Sequence, residues 1–126
     1  MARAIKITTE GVIAETDINF ENLGRLFGEN SYFEIVHAKS LGETFTDIDG
    51  TAVMVVDEEG RVKDLPYNKK ATILYAPAAY RDRYFIAGDA YLFGEGFTVN
   101  GSNFLDLPSR IGLADVEDLI ERQTNR

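Results

Sequence analysis

His37 is the only imidazole in the chain and cysteine is absent, so few nucleophile–base pairs can be assembled. A serine hydrolase would need His37 as its base beside Ser31, Ser40, Ser102 or Ser109. No Gly-x-Ser-x-Gly turn surrounds any of them, and that turn is what lifts a nucleophilic hydroxyl above a sheet. His37 stands between Val36 and Ala38, where a packed or edge side chain is the expectation. The lack of thiols excludes a disulfide framework, a thiolate zinc site and an iron–sulfur cluster.

The carboxylates offer more. Asp47-Ile48-Asp49-Gly50 has the look of a calcium loop, but the closing glutamate would fall at position 56, which is Val56. Asp47, Asp49 and Asp57 could hold magnesium only if folding clustered their oxygens. A solvated loop is the simpler expectation, and no metal or cofactor is expected. Glycoside cleavage by Glu34 and Asp89 would need the two acids roughly 5–9 Å apart across a cleft.

Six of the 13 bases fall in one segment, 61–83. Asn68, Lys69 and Lys70 sit at a predicted helix start, where backbone amides favour an anion, and Arg81 and Arg83 follow. A phosphate or nucleotide site built from them would lack the glycine-rich Walker pattern, so a standard nucleotide hydrolase is excluded. Tyr75, Tyr80, Tyr84 and Tyr91 lie near this segment and could stack on bases, although filling a core or an oligomer contact is the commoner use of large rings.

The charge is uneven. Over the 126 residues it is −8, which disfavours nucleic acid and anionic membranes as direct partners. Residues 31–60 carry Glu34, Glu43, Asp47, Asp49, Asp57, Glu58 and Glu59 against the single base Lys39. Residues 61–90 are net positive. Glu43, Asp47, Asp49, Asp57, Glu58 and Glu59 are therefore the candidate partner-binding face, since complementary charge steers association with a basic protein.

These groups must be positioned by local elements. Residues 4–8 and 12–16 alternate as a hairpin around Gly11. Asn19 can cap a helix over 20–27 that ends at Gly28. Residues 32–38 form a third strand, and 39–51 hold enough turn-formers to predict a loop. Val53-Met54-Val55-Val56 is apolar on both parities and suits a strand buried on both faces. A turn at 57–60 and a returning strand at 61–65 are expected, then a helix over 69–75 capped by Asn68 and turning Ala71, Leu74 and Tyr75 inward. Residues 78–83 should connect to strands at 84–87 and 90–93. Gly94–Gly96 should be a loop, and Asn100-Gly101 should turn a hairpin between 97–99 and 103–105. A last helix over 113–123 turns Leu113, Val116, Leu119 and Ile120 inward. The sum is one α+β domain over 1–126, a mostly antiparallel sheet with two to three helices packed on it.

The run from Val53 to Thr72, with its acidic turn Asp57-Glu58-Glu59-Gly60 and its Leu65-Pro66-Tyr67-Asn68-Lys69-Lys70-Ala71-Thr72 segment, is followed by Ile86-Ala87-Gly88-Asp89. Together they resemble an uncharacterised family of phages, plasmids and their bacterial hosts, a domain of unknown function. The similarity covers about residues 32–94; the hairpin and helix of 95–123 lie outside it. The resemblance implies a mobile-element setting and supplies no catalytic residue.

The resulting expectation is a non-enzymatic accessory protein in the cytoplasm of a host bacterium. It binds a basic host protein and inhibits a nucleic-acid-targeting defence, partly by mimicking DNA. Two alternatives stand beside it. One is a nucleotide or small-molecule sponge using 69–83. The other is a homo-oligomeric structural module, because the open edge of a small sheet invites pairing. The N-terminal residues hold no apolar run that would serve as a secretory signal or membrane span.

Overall fold

A computed structural model of the chain describes residues 2–28, 31–44, 51–76, 81, 83–98, 101–108 and 111–124, with side chains left out at 42–44, 51, 97–98 and 101–103. Asp47, Asp49, Tyr80 and most of the predicted 78–83 connection therefore lie outside the described residues, and so does the side chain of Glu43.

The sheet is antiparallel throughout. Its strands are β1 (Ala2–Ile7), β2 (Ile13–Ile18), β3 (Phe33–His37), β4 (Thr51–Asp57), β5 (Ala90–Thr98) and β6 (Gly101–Leu105). The order is β2-β1-β5-β4-β3. One edge of β5 is shared end to end: Ala90–Leu92 pair with β1, and Gly94–Thr98 pair with β6. The other edge pairs with β4 over Tyr91–Glu95.

Period-two burial splits the core into two layers. On one face Ile5, Ile7, Met54, Val56 and Leu92 pack with Leu41, Ile73, Leu74, Val116, Leu119 and Ile120. Those last six come from α1 (Lys39–Thr44), α2 (Lys69–Tyr75) and α3 (Leu113–Thr124). On the other face Ala2, Ala4, Val53, Val55 and Phe93 pack with Leu23 from a 3-10 helix, Phe20–Phe27. Phe93 meets Phe20 and Phe104 with ring centres 5.3 and 5.4 Å apart. β4 thus buries both faces, as its unbroken apolar run predicts. Each such side chain contributes about 1.5–3 kcal/mol by leaving water.

The helix ends follow local chemistry. Asn19 accepts from the Glu21 amide at 3.0 Å and starts the 3-10 helix, which kinks at Asn22 (φ −135°, ψ 41°) and stops at Gly28 (φ +116°). The expected helix over 20–27 is thus present with its two caps, as a kinked 3-10 helix.

Four further expectations are corrected. Residues 39–44 form α1, not a loop, because Leu41 is fully buried in the helix-side core and Ser40 donates to the Ile73 carbonyl. Tertiary burial outweighs the cost of Gly42 in so short a helix. Residues 61–65 do not return as a strand. Their hydrogen bonds are spent locally: Lys63 N donates to Glu59 O, Asp64 N to Arg61 O, and Leu65 N to Gly60 O, with Asp64 at φ +60°. Residues 84–87 make one bridge, Tyr67 with Ala87, and no strand. Gly94–Gly96 lie inside β5 rather than in a loop. At Gly94 a Cβ would stand 2.8 Å from the Asp106 carbonyl oxygen, so glycine is what lets β6 approach.

Arg3 gives no sign of its role in the sequence. It donates to the carbonyls of Leu107, Pro108 and Ile111 and pairs with Glu15 at 2.6 Å, tying β1 to the chain that enters α3.

Candidate functional site

Asn68 is the most heavily committed of the predicted site residues. Its backbone enters α2 from an extended conformation, and its Oδ1 accepts from Ala71 N at 3.1 Å, which is the expected cap. Its Nδ2 donates to Ile7 O and to Gly88 O, both at 2.9 Å. One turn on, Thr72 Oγ1 donates to Asn68 O at 2.7 Å and accepts from Ile86 N at 2.9 Å. Both side chains are fully buried. The pair clasps β1, α2 and the 86–88 segment together. Gly88, at φ +93° with Leu65 against it, completes the clasp. Asn68, Thr72 and Gly88 are thus occupied in holding the scaffold.

The remaining bases do not join Asn68 in one cluster. Lys69 and Lys70 border a groove between α2 and α3 that also bears Glu117 and Glu121. Lys70 Nζ donates to the Gly11 carbonyl at 2.7 Å. Two carboxylates beside two ammonium groups weaken the local field for an anion. Arg81 sits at the other end of α2, its Nε on the Ala76 carbonyl. A seven-residue helix spans roughly 10 Å, and Lys69 and Arg81 stand at its two ends. Arg83 is exposed and lends its carbonyl to Arg61.

The acidic stretch is described only in part. Asp47, Asp49 and the side chain of Glu43 lie outside the described residues, whereas Asp57 ends β4 and Glu58 and Glu59 follow it. Asp57 is not a surface acid. Its side chain is 2% exposed and pairs with Lys63 at 2.8 Å, and its Oδ1 accepts from Glu59 N at 2.9 Å. It shapes the turn. Glu58 is exposed and Glu59 half-buried.

A polar cleft adjoins that turn. It measures about 280 Å³ and opens between the turn and residues 84–87, bordered by Glu34, Asp57, Glu58, Arg61, Tyr75 and Tyr84. Glu34 reaches it from β3, where it pairs with Val56, and it points to the helix side along with Val36. Tyr84 is 54% exposed at its rim. Arg61 lies over the Phe85 ring, 4.0 Å from its centre, and donates to the carbonyls of Arg83 and Phe85. Exposed Tyr32 and Tyr67 stand nearby in the chain, and Tyr32 O accepts from Glu58 N at 3.1 Å. Sequence reasoning left Glu34 out of the acidic face. Only the β3–β4 register brings it beside Glu58.

Of the catalytic candidates, Ser109 and the side chain of Ser102 lie outside the described residues. His37 is exposed at the end of β3. Asp89 accepts from Thr9 N and lies 3.8 Å from Lys6, on the β1 side of the sheet, whereas Glu34 is on β3 with β5 and β4 between. Among the described residues no three carboxylate or histidine side chains gather as a metal-holding group. Among the same residues no helix is long and apolar enough to cross a membrane. Comparison with protein-family models, curated proteins and solved structures finds no match.

Proposed function

We propose that the protein is a non-enzymatic binding module whose acidic corner, the cleft around the turn after β4, receives a basic segment of a partner protein. The observation that supports this is the convergence of two exposed carboxylates, Glu34 and Glu58, with Tyr84 at one cleft mouth, the neighbouring Arg61 being engaged by the Arg83 and Phe85 carbonyls and the Phe85 ring. Carboxylates attract and orient lysine or arginine, and tyrosine rings accept the face of a guanidinium or the stem of a lysine. The partner contact moves from the linear stretch 43–59 to Glu34, Glu58 and Glu59, because Asp57 is already paired. In the mobile-element setting that the resemblance implies, a nucleic-acid-handling host protein is the partner proposed, its basic surface being what such a corner selects.

A labelled octa-lysine peptide tests the corner directly. Its affinity should fall about tenfold or more in the double variant E34K/E58K and should weaken with added salt. Reversing Glu10 and Asp17, exposed acids on the β2 side, should change it little, and both variants should melt near the parent temperature. Equal binding by E34K/E58K, or an equal loss on reversing Glu10 and Asp17, would reduce the corner to ordinary solubilising charge.

A further inference from the structure

The open edge of β3 begins at this same corner. β3 is the last strand of the sheet and pairs on one side only, with β4, among the described residues. The direction of its free groups follows from two bonds. Ala38 N donates to Ala52 O, and Glu58 N donates to Tyr32 O. In an antiparallel pair, residues alternate between those that exchange bonds with the partner strand and those that do not. Tyr32, Glu34, Val36 and Ala38 therefore face β4. The N–H and C=O groups of Phe33, Ile35 and His37 point outward, away from the sheet. β3 carries no proline or bulge against the addition of a strand, and Glu34 is its one charged side chain.

Charge is graded along it. Glu34, Glu58 and Glu59 mark the Phe33 end, where Lys63 is taken up by Asp57 and Ser31, whereas the His37 end leads to Lys39. Phe33 is 40% exposed on the face opposite Glu34.

We propose that the partner's basic segment enters as an extended strand, antiparallel to β3, hydrogen-bonded to Phe33, Ile35 and His37. This rests on the acidic corner being the binding site. Strand addition gives affinity through main-chain bonds and specificity through alternate side chains. The residue opposite Glu34 points to the helix side and must be lysine or arginine. Its two neighbours point to the other side, against Phe33 and Ile35, and must be apolar. The bases belong in the segment's C-terminal half, because the antiparallel sense brings that half to the Glu34 end. A second copy of this chain is the lesser occupant. Each copy carries −8, and self-pairing centred on Ile35 leaves Glu34 opposite Val36 with no base across from it.

The probe is the peptide Thr-Val-Thr-Val-Lys-Val-Lys, compared with the same residues in reverse order and with a form N-methylated at the valine opposite Ile35. The parent protein should bind the first at least tenfold more tightly than either control, and more tightly than octa-lysine. His37→Pro should lose that preference: the N–H it removes points away from β4, so the sheet's own ladder is kept. Where H37P melts early, the N-methylated peptide on the parent protein carries the result. Equal affinity for the methylated and unmethylated peptides would overturn strand addition. If octa-lysine binding still depended on Glu34 and Glu58, the acidic corner would survive that failure. Dimers in light scattering that the peptide does not dissociate would assign the edge to a second copy and overturn the proposal.

Discussion

Replacing Asn68 by alanine is expected to lower the unfolding free energy by about 2–4 kcal/mol. The cap alone is worth about 1 kcal/mol, and each buried group left without a partner costs about 1–3 kcal/mol. Alanine removes the acceptor for Ala71 N and the donor shared by the Ile7 and Gly88 carbonyls. Asn68→Asp separates the two effects. It keeps the cap acceptor but turns a second oxygen toward two carbonyl oxygens, so a loss of similar size is expected even though the helix start is retained. Urea titration of the three proteins checks this. If N68D were as stable as the parent, the helix cap would be the whole contribution and the clasp across β1 and Gly88 would contribute nothing.

Gly60→Ala is expected to be destabilising by about 1–3 kcal/mol for a different reason, overpacking against rigid main chain. A Cβ at position 60 would run into the Ala87 carbonyl oxygen and stand 3.2 Å from its carbon. These are backbone atoms, and Ala87 is fixed by its bridge to Tyr67. The turn and the 84–87 segment, the two walls of the cleft, would have to separate. Thermal melting gives the stability loss, and octa-lysine affinity should fall with it. Unchanged melting would mean that the two walls slide past one another without resistance. The cleft would then be no preformed site.

The elements legible in the sequence are those whose signal is local. α2 begins at Lys69 and ends at Tyr75 because Asn68 caps it and an apolar face repeats through Ala71 and Leu74. α3 follows from the spacing of Val116, Leu119 and Ile120. β4 follows from an apolar run with no polar parity. The antiparallel α+β class follows from the hairpin turns. What escaped depends on distant partners. α1 exists because Leu41 finds a core supplied by α2 and β4. The 61–65 segment alternates as a strand should, yet its donors and acceptors are satisfied within the turn. Arg3 is an ordinary surface base until the carbonyls of 107–111 are brought to it.

The candidate site divides along the same line. Glu34 and Glu58, 24 positions apart in the chain, share a cleft. Asp57 shows the limit most clearly. Composition counts it among the acids, but its place at the end of a buried strand makes it an internal brace for Lys63 and Glu59.

The position of β5 governs how the chain can be made. It lies between β1 and β4, yet it is the fifth strand to emerge during synthesis. Until residue 90 has left the ribosome, β1–β2 and β3–β4 are two unconnected ladders with apolar margins uncovered. Closing the sheet joins Ile5 to Leu92, across most of the polypeptide, and long-range pairing of that kind is slow. A nascent or truncated product that stops short of β5 displays two naked strand margins at once. Quality control would meet this protein first as a pair of sticky halves awaiting their central splint.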